Sequence, residues 1–280
     1  MLVNLKEILS LAERDGNAAG AFNTPNLPSL HAVIEAAEEA NRPVILMHAQ
    51  IHEEMGLCTL EEIAPIMIRA AKAATVPVCV HLDHGTDPEY VKRGMELGFT
   101  SVMFDGSERS EAENLRITQQ IVALAHGKGI SVEAEIGSMG SREGGTASGR
   151  EALYTDPETA RVFAEASGID ALACAFGTAH GLYTEAPKLD FERVRKIRDL
   201  TGLPLVMHGG SGVSDRDFAK AIRCGIRKIN YYTYMAKAGA DALQNRSVGY
   251  LPAMYHDLEK LAQEAMKQNV RIALEIFKGN

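Results

Sequence analysis

The stretch that decides the fold is VCVHLDHG at residues 78–85, an apolar run that ends in polar residues and a glycine. Two further apolar runs end in the same way, ALACAFGTAHG at residues 171–181 and LPLVMHGGSG at residues 203–212. Each run reads as a buried β-strand whose C-terminal end carries a histidine beside a glycine. Three imidazoles on separate strand ends can converge on one zinc ion and leave a coordination position open. The pattern therefore indicates a metal-dependent enzyme.

Similar strand-like runs recur along the whole chain and alternate with helical stretches. We predict strands at residues 19–22, 44–47, 76–80, 101–104, 130–134, 171–176, 203–207 and 227–231. We predict helices at residues 30–40, 60–74, 88–97, 111–126, 157–167, 191–200 and 215–222, with C-terminal helices around 258–276. Eight strand–helix units of roughly 30 residues predict an α/β fold, a single-domain (β/α)8 TIM barrel over residues 1–280. A doubly wound open sheet is the alternative, but no G-x-G-x-x-G follows the first strand.

The composition argues against several kinds of partner. The formal net charge is −8, which gives no electrostatic footprint for nucleic acid or for an anionic membrane. The four cysteines are widely spaced and form no C-x-x-C pair, as is typical of a reducing compartment. The N-terminus alternates apolar and charged side chains and is expected to form an amphipathic helix, not a signal peptide. We therefore expect a cytoplasmic protein with no nucleic-acid partner and no membrane partner.

The ends of the strands carry the residues that can perform chemistry. In a (β/α)8 barrel the active site lies at the C-terminal ends of the strands, where all three histidine runs end. Side chains alternate along a strand, so His81 and Asp83 share one side, and for His81 this favours a structural hydrogen bond to Asp83. The strand end frees His84 from strict alternation, so His84 can turn to a metal while Asp83 faces substrate. His48 and His52 follow the second strand and can also line the mouth of the barrel.

Six motifs along the chain resemble those of one enzyme family. They are HLDHG (81–85), SVMFDGS (101–107), VEAEIG (132–137), GTAHG (177–181), HGGSG (208–212) and KIN (228–230). Together they resemble the class II, zinc-dependent ketose-bisphosphate aldolases, although each motif alone would be a weak signal. The resemblance runs from residue 20 to about residue 233, and residues 153–191 are most similar to the tagatose-bisphosphate branch.

The resemblance implies a metal site. It implies a Zn²⁺ ion bound by His84, His180 and His208. It also implies that Asp105 and Glu135 bind a second or displaced metal ion, and that a monovalent cation accompanies the zinc. Without the resemblance, Asp105 reads equally well as a polar loop residue, and Glu135 as a helper carboxylate.

The resemblance also implies where a small-molecule sugar phosphate binds. The substrate-binding residues that it implies are Asn23, Gly181, Gly209, Gly210, Ser211, Asn230 and Thr233. Successive glycines agree with this, because their backbone N–H groups form a nest for an anion. Phosphate sites after the seventh and eighth strands also recur in barrels. A tight turn is the structural alternative for residues 209–212, and it leaves Ser211 unexplained.

A reversible aldol cleavage is the reaction that the resemblance implies. In such a reaction His84, His180 and His208 would hold the zinc, which would act as a Lewis acid on the carbonyl and adjacent hydroxyl of the ketose phosphate. Asp83 would take the proton of the C4 hydroxyl as the C3–C4 bond breaks, and Asn230 would help to stabilise the resulting ene-diolate. Glu143 returns a proton to C3, which yields dihydroxyacetone phosphate. Glu143 lies in a glycine-rich loop at residues 137–149, whose composition is typical of a lid.

Other functions are weighed against this one. A Schiff-base aldolase would use Lys228 on a barrel strand, but that mechanism gives no function to the three histidines. A non-catalytic barrel that binds a sugar phosphate would be expected to lose one of the catalytic or metal-binding residues, and all are present. A metal-dependent barrel hydrolase or isomerase would release no triose phosphate. The resemblance also implies a homodimer or homotetramer.

Two segments depart from the family pattern. Tyr231, Tyr232 and Tyr234 follow the eighth strand, where the family usually has smaller or more polar residues. Ala49 stands where the family commonly has serine or threonine. We expect the tyrosines to reshape the wall beside the reacting carbons, so the resemblance does not fix the aldehyde half of the substrate.

Overall fold

The computed structural model describes residues 1–137, 140–141, 154–181, 183, 185–245 and 254–279. The strands are β1 (Leu2–Val3), β2 (Ala19–Asn23), β3 (Val44–Ala49), β4 (Val78–Gly85), β5 (Ser101–Phe104), β6 (Ser131–Ile136), β7 (Gly140–Ser141), β8 (Ala171–Cys174), β9 (Ala179–His180), β10 (Leu205–Met207) and β11 (Ile226–Asn230). The helices are α1 (Leu5–Arg14), α2 (Leu27–Glu39), α3 (Gln50–Glu54), α4 (Leu60–Ala73), α5 (Pro88–Glu96), α6 (Glu111–His126), α7 (Pro157–Ser167), α8 (Phe191–Thr201), α9 (Asp215–Arg223), α10 (Thr233–Gln244) and α11 (Tyr255–Ile276).

Eight parallel strands close into a barrel. Around the barrel the order is β4, β3, β2, β11, β10, β8, β6 and β5, and β5 pairs back onto β4. The predicted (β/α)8 TIM barrel is therefore confirmed, with all eight predicted strands in place. The short β1 pairs with β4 through Leu2 and Val78 and lies outside the predicted set, as do the two-residue strands β7 and β9.

The alternation of side chains along the strands decides what fills the barrel. Along β3, Ile45 and Met47 face the interior and belong to the same buried cluster as Leu5 and Ile8 of α1. Leu46, between them, belongs to the outer cluster that packs the helices against the barrel. The predicted amphipathic helix α1 thus closes the N-terminal end of the barrel. The C-terminal ends of the strands are left for a site.

Helix ends follow the capping signals of the sequence. Asp156 begins α7, and its Oδ1 accepts the backbone N–H groups of Glu158 at 3.1 Å and Thr159 at 2.9 Å. Gly168 and Gly202 end α7 and α8 with φ angles of 74° and 65°. Glycine adopts this left-handed conformation without steric cost. Each of these glycines lets the chain turn into the next barrel strand, β8 or β10.

The C-terminal helix packs against the outside of the barrel. Helix α11 contacts α2 and α10. Phe277 follows it, is fully buried and lies against Phe218 and Tyr231, with ring centroids 5.1 and 6.0 Å away. The carbonyl of Phe277 accepts the backbone N–H of Ala18 at 3.0 Å. The last helix is therefore tied to the chain just before β2.

Among the described residues, no helix combines the length and the apolar composition needed to cross a membrane. The longest described helix, α11, has 22 residues and carries charged side chains along its length. The next longest, α6, has 16 residues.

We expect Phe277→Ala to lower the free energy of unfolding by ~3–5 kcal/mol, because the truncated side chain leaves a buried cavity. Ile272→Ala is the matched control, since Ile272 lies on α11 and its side chain is 60% exposed. The control is expected to change stability by less than about 0.5 kcal/mol. Urea unfolding measures both values. Equal losses in the two variants would contradict the docking of α11 described above.

Candidate metal centre and active site

Three histidines from separate parts of the barrel meet at its C-terminal mouth. His84 lies in β4, His180 ends β9, and His208 directly follows β10. The ring centroid of His84 is 4.9 Å from that of His180 and 4.5 Å from that of His208. One ring nitrogen from each histidine lies within 4.8 Å of the other two. The structure therefore brings together the three residues predicted to bind zinc.

An irregularity in β4 turns His84 towards this centre. The register between β4 and β5 shifts between Leu82 and Gly85. His84 has a φ angle of +45°, which is uncommon for a residue other than glycine. Such a conformation costs of order 1–3 kcal/mol and is typical of functional sites. The bulge frees His84 from the strand alternation, as the sequence predicts.

Carboxylates hold the far nitrogens of two of the imidazoles. The Nδ1 of His84 lies 2.7 Å from Asp105 Oδ2, and the Nε2 of His208 lies 2.9 Å from Glu133 Oε1. The remaining nitrogens, Nε2 of His84 and Nδ1 of His208, face one another at 2.8 Å. A carboxylate on the far nitrogen is the usual way in which proteins orient a metal-binding histidine. Both rings thus present one nitrogen to a common point.

A buried carboxylate beside these rings has an oxygen that lacks a hydrogen-bond partner. Glu135 is 2% exposed, and its Oε2 accepts no hydrogen bond from the described residues. This oxygen lies 3.9 Å from His84 Nδ1 and 3.8 Å from His208 Nδ1. An unpaired buried carboxylate is costly, and a cation would satisfy it. The donor set therefore fits a divalent metal, with imidazole nitrogens suited to zinc.

Asp105 and Glu135 also form a second group of possible ligands. Their oxygens lie within 4.8 Å of one another and of a nitrogen of His84. Asp105 already bonds to His84, and its Oδ1 also accepts the Ser107 hydroxyl at 2.6 Å. The two groups share His84, so the carboxylates lie beside the three-histidine centre.

Burial and nearby charges set the protonation of the centre. Burial, together with the charge at His84, lowers the pKa of His180 to about 3 and lowers the pKa of His208. Although burial lowers it, the carboxylates of Asp83 and Asp105 raise the pKa of His84 to about 10. Burial and then Asp105 raise the pKa of Glu135 well above its usual range. The carboxylates around His84 thus favour a positive charge at this position. A bound metal cation would also place a positive charge there.

Asp83 lies next to the centre and is held from both sides. Its Oδ2 accepts the side-chain amide of Asn23 and its Oδ1 accepts the amide of Asn230, both at 3.1 Å. Although burial raises it, the positive charges at His84 and Lys228 hold the pKa of Asp83 well below its usual range. The nearby positive charges and the two hydrogen bonds thus keep Asp83 as an ionised carboxylate in a fixed orientation. The Oδ1 of Asn230 is buried without a hydrogen-bond partner among the described residues.

The loop after β10 packs closely against its neighbours. Gly209 has a φ angle of +65°, and a Cβ at this position would lie 2.3 Å from the carbonyl oxygen of Ala179. Only glycine fits there. The N–H of Gly210 donates to the carbonyl of Asn230 at 3.1 Å. Gly210 therefore already uses its N–H to join the loop to the end of β11.

The first turn of α10 lies beside the same loop. Thr233 is the first residue of this 12-residue helix, and the N–H of Tyr234 donates to Ser211 Oγ at 3.3 Å. The N-terminus of a helix attracts anions through its free N–H groups and its dipole. Gly181 directly follows His180 and has a φ angle of +90°. The predicted phosphate-binding residues from the two segments, Ser211 and Thr233, are thus brought together at one edge of the mouth.

A buried polar network lies beneath the centre, and sequence reasoning does not identify it. The Nζ of Lys228 lies 2.8 Å from Glu133 Oε2 and 3.3 Å from His81 Nε2. The Nδ1 of His81 lies 2.8 Å from Ser101 Oγ. His81 is therefore structural, as predicted, but its partners are Ser101 and Lys228, not Asp83. The alternation in VEAE, which puts Glu133 and Glu135 on one side of β6, is the signal that could have found Glu133.

Two charged side chains of this network are fully buried. Lys228 and Glu133 have side chains with no exposed surface. Although burial raises it, Lys228 and His208 lower the pKa of Glu133 to about 2. Burial and then Lys228 lower the pKa of His81 to about 3. Glu133 is thus a carboxylate and His81 a neutral imidazole.

The tyrosines after the eighth strand separate into different environments. The ring of Tyr232 lies 5.5 Å from that of His52, which lies 5.5 Å from that of His48. Tyr231 instead is buried and packs against Phe22 and Phe277, with ring centroids 6.0 Å away in each case, and its ring also lies 6.4 Å from that of the exposed Tyr234. The expectation that Tyr231 reshapes the substrate wall is therefore wrong, because the strand alternation turns its ring away from the mouth. Ala49 pairs with Asp83 across β3 and β4, and its N–H donates to His52 Nδ1 at 3.3 Å, so His52 lies near Asp83.

One predicted catalytic residue cannot be located. Glu143 lies outside the described residues, as does most of the predicted lid at residues 137–149. Its assignment as a proton donor stays a prediction.

Comparison with known proteins agrees with the geometry of the mouth. The profile of the family described as fructose-bisphosphate aldolase class-II matches residues 3–280. The chain is 39% identical over 282 residues to the fructose-bisphosphate aldolase of Staphylococcus aureus, covering 99% of this chain and 97% of the relative. The curated relatives carry the fructose name, and likeness to the tagatose branch stays a prediction.

Two solved structures that are similar to this chain are also described as aldolases. The crystal structure of the YdjI aldolase of Escherichia coli K12 has a TM-score of 0.87 and 36% identity, covering 99% of this chain and 97% of that chain. The crystal structure of fructose-bisphosphate aldolase from Campylobacter jejuni has a TM-score of 0.79 and 25% identity, covering 99% of this chain and 95% of that chain.

We expect His208→Ala to lose zinc and Asp83→Ala to keep it. His208 offers a nitrogen to the centre, whereas Asp83 is bonded to two asparagines beside it. Zinc content after dialysis, measured by atomic emission, tests both variants against the unmodified chain. Retention of a full equivalent of zinc by His208→Ala would contradict the assignment.

Proposed function

This chain belongs to the class II fructose-bisphosphate aldolase family, and we propose that it is a zinc-dependent enzyme that reversibly cleaves a ketose 1-phosphate or 1,6-bisphosphate. The products are dihydroxyacetone phosphate and an aldehyde. Membership of the family makes the chain a carbon–carbon lyase. The observation that carries the proposal is the position of Asp83, which is clamped by two asparagine amides beside the three-histidine centre.

Asp83 is the proposed base for cleavage. Asn23 and Asn230 each donate one hydrogen bond to it, so its orientation is fixed before substrate arrives. A base within hydrogen-bond reach of the C4 hydroxyl can take its proton as the C3–C4 bond breaks and the aldehyde forms. The electron pair of that bond stays on C3 of the dihydroxyacetone phosphate half. The unpartnered Oδ1 of Asn230 is available to accept a substrate hydroxyl.

His84, His180 and His208 are the proposed zinc ligands. When bound, the metal supplies Lewis-acid polarisation of the substrate oxygen next to the reacting carbons. Asp105 and Glu133 hold the rings of His84 and His208 for this task. We also propose that Asp105 and Glu135 can hold a second or displaced metal ion, and that a monovalent cation assists.

The phosphate of the substrate is proposed to bind opposite Asp83. The proposed donors are backbone N–H groups of the loop around Gly209 and Ser211, which Gly210 joins to β11, and of the helix N-terminus that begins at Thr233. Gly181 lies beside the same region, directly after His180. These contacts fix the dihydroxyacetone phosphate half. Glu143 is the proposed donor that reprotonates C3.

Three alternative functions are less well supported. A Schiff-base aldolase needs a free amine, but Lys228 is fully buried and bonded to Glu133 at 2.8 Å. A non-catalytic sugar-phosphate-binding barrel has no need for a strained histidine beside a clamped carboxylate. A metal-dependent hydrolase or isomerase would use the same centre without releasing triose phosphate.

The compartment and the assembly of the enzyme are part of the same proposal. We place the enzyme in the cytoplasm, as a homodimer or homotetramer that acts on small-molecule sugar phosphates, with residues 1–280 as one catalytic domain. The four cysteines are free thiols, three of them buried, which supports a reducing compartment.

Cleavage is expected to release dihydroxyacetone phosphate and to stop when a chelator is present, because the proposed reaction needs the metal. The assay uses fructose 1-phosphate and the 1,6-bisphosphates of fructose and tagatose, with coupled detection of the triose phosphate. Asp83→Ala is expected to lose roughly 10²–10⁴-fold in kcat while it keeps zinc. No release from any substrate by the zinc-loaded enzyme would refute the proposal.

Borohydride added during turnover is expected to leave the enzyme active, since no imine forms at Lys228. A Schiff-base aldolase assayed in parallel is the positive control and should be inactivated. Covalent labelling of Lys228, detected by mass spectrometry of the intact chain and its peptides, would restore the Schiff-base mechanism.

A further inference from the structure

We propose that Lys228 and Glu133 are positioning residues that fix His208 in the form that binds the metal. The pair lies inside the barrel, beneath the mouth, and neither residue faces the proposed substrate site. This inference rests on the metal site of the proposed function. It adds a role for two charged side chains that the cleavage reaction does not use.

The direction of each hydrogen bond follows from the chemistry of the donors. An ammonium group only donates, so Lys228 donates to Glu133 Oε2 at 2.8 Å and to His81 Nε2 at 3.3 Å. The Nε2 of His81 is then an acceptor, and its Nδ1 carries the proton. That Nδ1 donates to Ser101 Oγ at 2.8 Å. His81, held by Ser101, thus gives the ammonium of Lys228 a second acceptor, 3.7 Å from the Oε2 of Glu133.

The same reasoning fixes the form of His208. A carboxylate only accepts, so the Nε2 of His208 carries the proton that Glu133 Oε1 accepts at 2.9 Å. The Nδ1 of His208 is then unprotonated and keeps its lone pair. This is the nitrogen that faces His84 Nε2 at 2.8 Å. Lys228 and Glu133 together therefore determine which nitrogen of His208 is offered to the metal.

The position of the network in the barrel explains its rigidity. Lys228 comes from β11, Glu133 from β6 and His81 from β4, so the bonds cross the barrel interior. The side chains of His81, Glu133, Lys228 and His208 have no exposed surface. Side chains with this little space cannot change rotamer without disturbing several strands. The orientation of His208 is thereby coupled to the closure of the barrel.

Stability alone does not account for this ion pair. Two charges removed from water lose hydration that their attraction barely repays, and apolar replacements are often neutral or stabilising. The pair is placed where its carboxylate has one oxygen on Lys228 and the other on His208. A second carboxylate–histidine bond, between Asp105 and His84, lies on the other side of the centre. The two bonds orient facing nitrogens, which is the arrangement expected for ligands that share one ion.

The test measures metal binding in two variants, Lys228→Met and Glu133→Gln. We expect each to weaken zinc binding about 10- to 100-fold, as is usual when a partner of a ligating histidine is lost. Affinity is measured by competition with a chromophoric chelator. The zinc affinity of the double variant is expected to equal that of the single variant with the lower affinity. Both substitutions break the same chain of hydrogen bonds from Lys228 through Glu133 to His208, so their effects do not add. The visible spectrum of the cobalt-substituted protein should shift in every variant, since His208 changes its orientation.

Lys267→Met is the matched control. Lys267 forms ion pairs with Glu39 and Glu264 on the outer surface of the barrel, so its loss should leave zinc affinity and the cobalt spectrum unchanged. Thermal unfolding of each metal-free variant separates a fold defect from a binding defect. If Lys228→Met does not fold, Glu133→Gln decides the matter, because it preserves the side-chain volume.

Unchanged zinc affinity and an unchanged cobalt spectrum in folded Glu133→Gln would overturn the positioning role. Lower thermal stability with unchanged metal binding would also overturn it, because the pair would then be structural only. Failure of the unmodified chain to bind zinc is a different result. It would refute the metal site of the proposed function, and with it the role of Lys228 and Glu133.

Discussion

The structure of the mouth depends on two carboxylate–imidazole hydrogen bonds. Asp105 holds Nδ1 of His84 and Glu133 holds Nε2 of His208. An imidazole without such a partner can rotate and can move its proton between nitrogens, so three histidines near one another do not by themselves make a ligand set. The two carboxylates remove this freedom. They turn a cluster of polar side chains into a centre with nitrogens that face one point.

The barrel fold brings together the residues that form these two hydrogen bonds. Eight parallel strands end at one rim, so β4, β9 and the segment after β10 can each contribute one histidine. Helix α1 packs Leu5 and Ile8 into the opposite end, which confines the site to the C-terminal rim. The bulge in β4 places two neighbouring residues in different roles. Asp83 follows the strand alternation towards the asparagines, and His84 leaves it for the metal centre.

Much of this architecture could be predicted from the sequence. Apolar runs of strand length that alternate with helical stretches are local signals, and they predict the eight barrel strands and most of the helices. The three histidines were found because each stands at the end of such a run. The rest depends on which strands meet across the barrel. Glu133 and Lys228 are 95 residues apart in sequence, and no periodicity reveals that they form a pair.

The local sequence pattern also leads to a wrong prediction for one aromatic residue. Tyr231 was expected at the substrate wall because it follows Asn230, but it packs with Phe22 and Phe277 in the core. The partner ring of Phe277 comes from the C-terminal end of the chain, which no local signal connects to β11. Helices α3 and α10 also lie outside the predicted set. Helix α10 packs against α11, a contact between separate segments that no local signal reveals.

Anomalous diffraction from crystals grown with zinc tests the central claim most directly. Data collected on both sides of the zinc absorption edge locate the ion without any assumption about activity. The account predicts one strong peak among the imidazoles of His84, His180 and His208, with Glu133 and Asp105 still bonded to the far nitrogens. A peak elsewhere, or none at the mouth while the three rings are ordered, would contradict it.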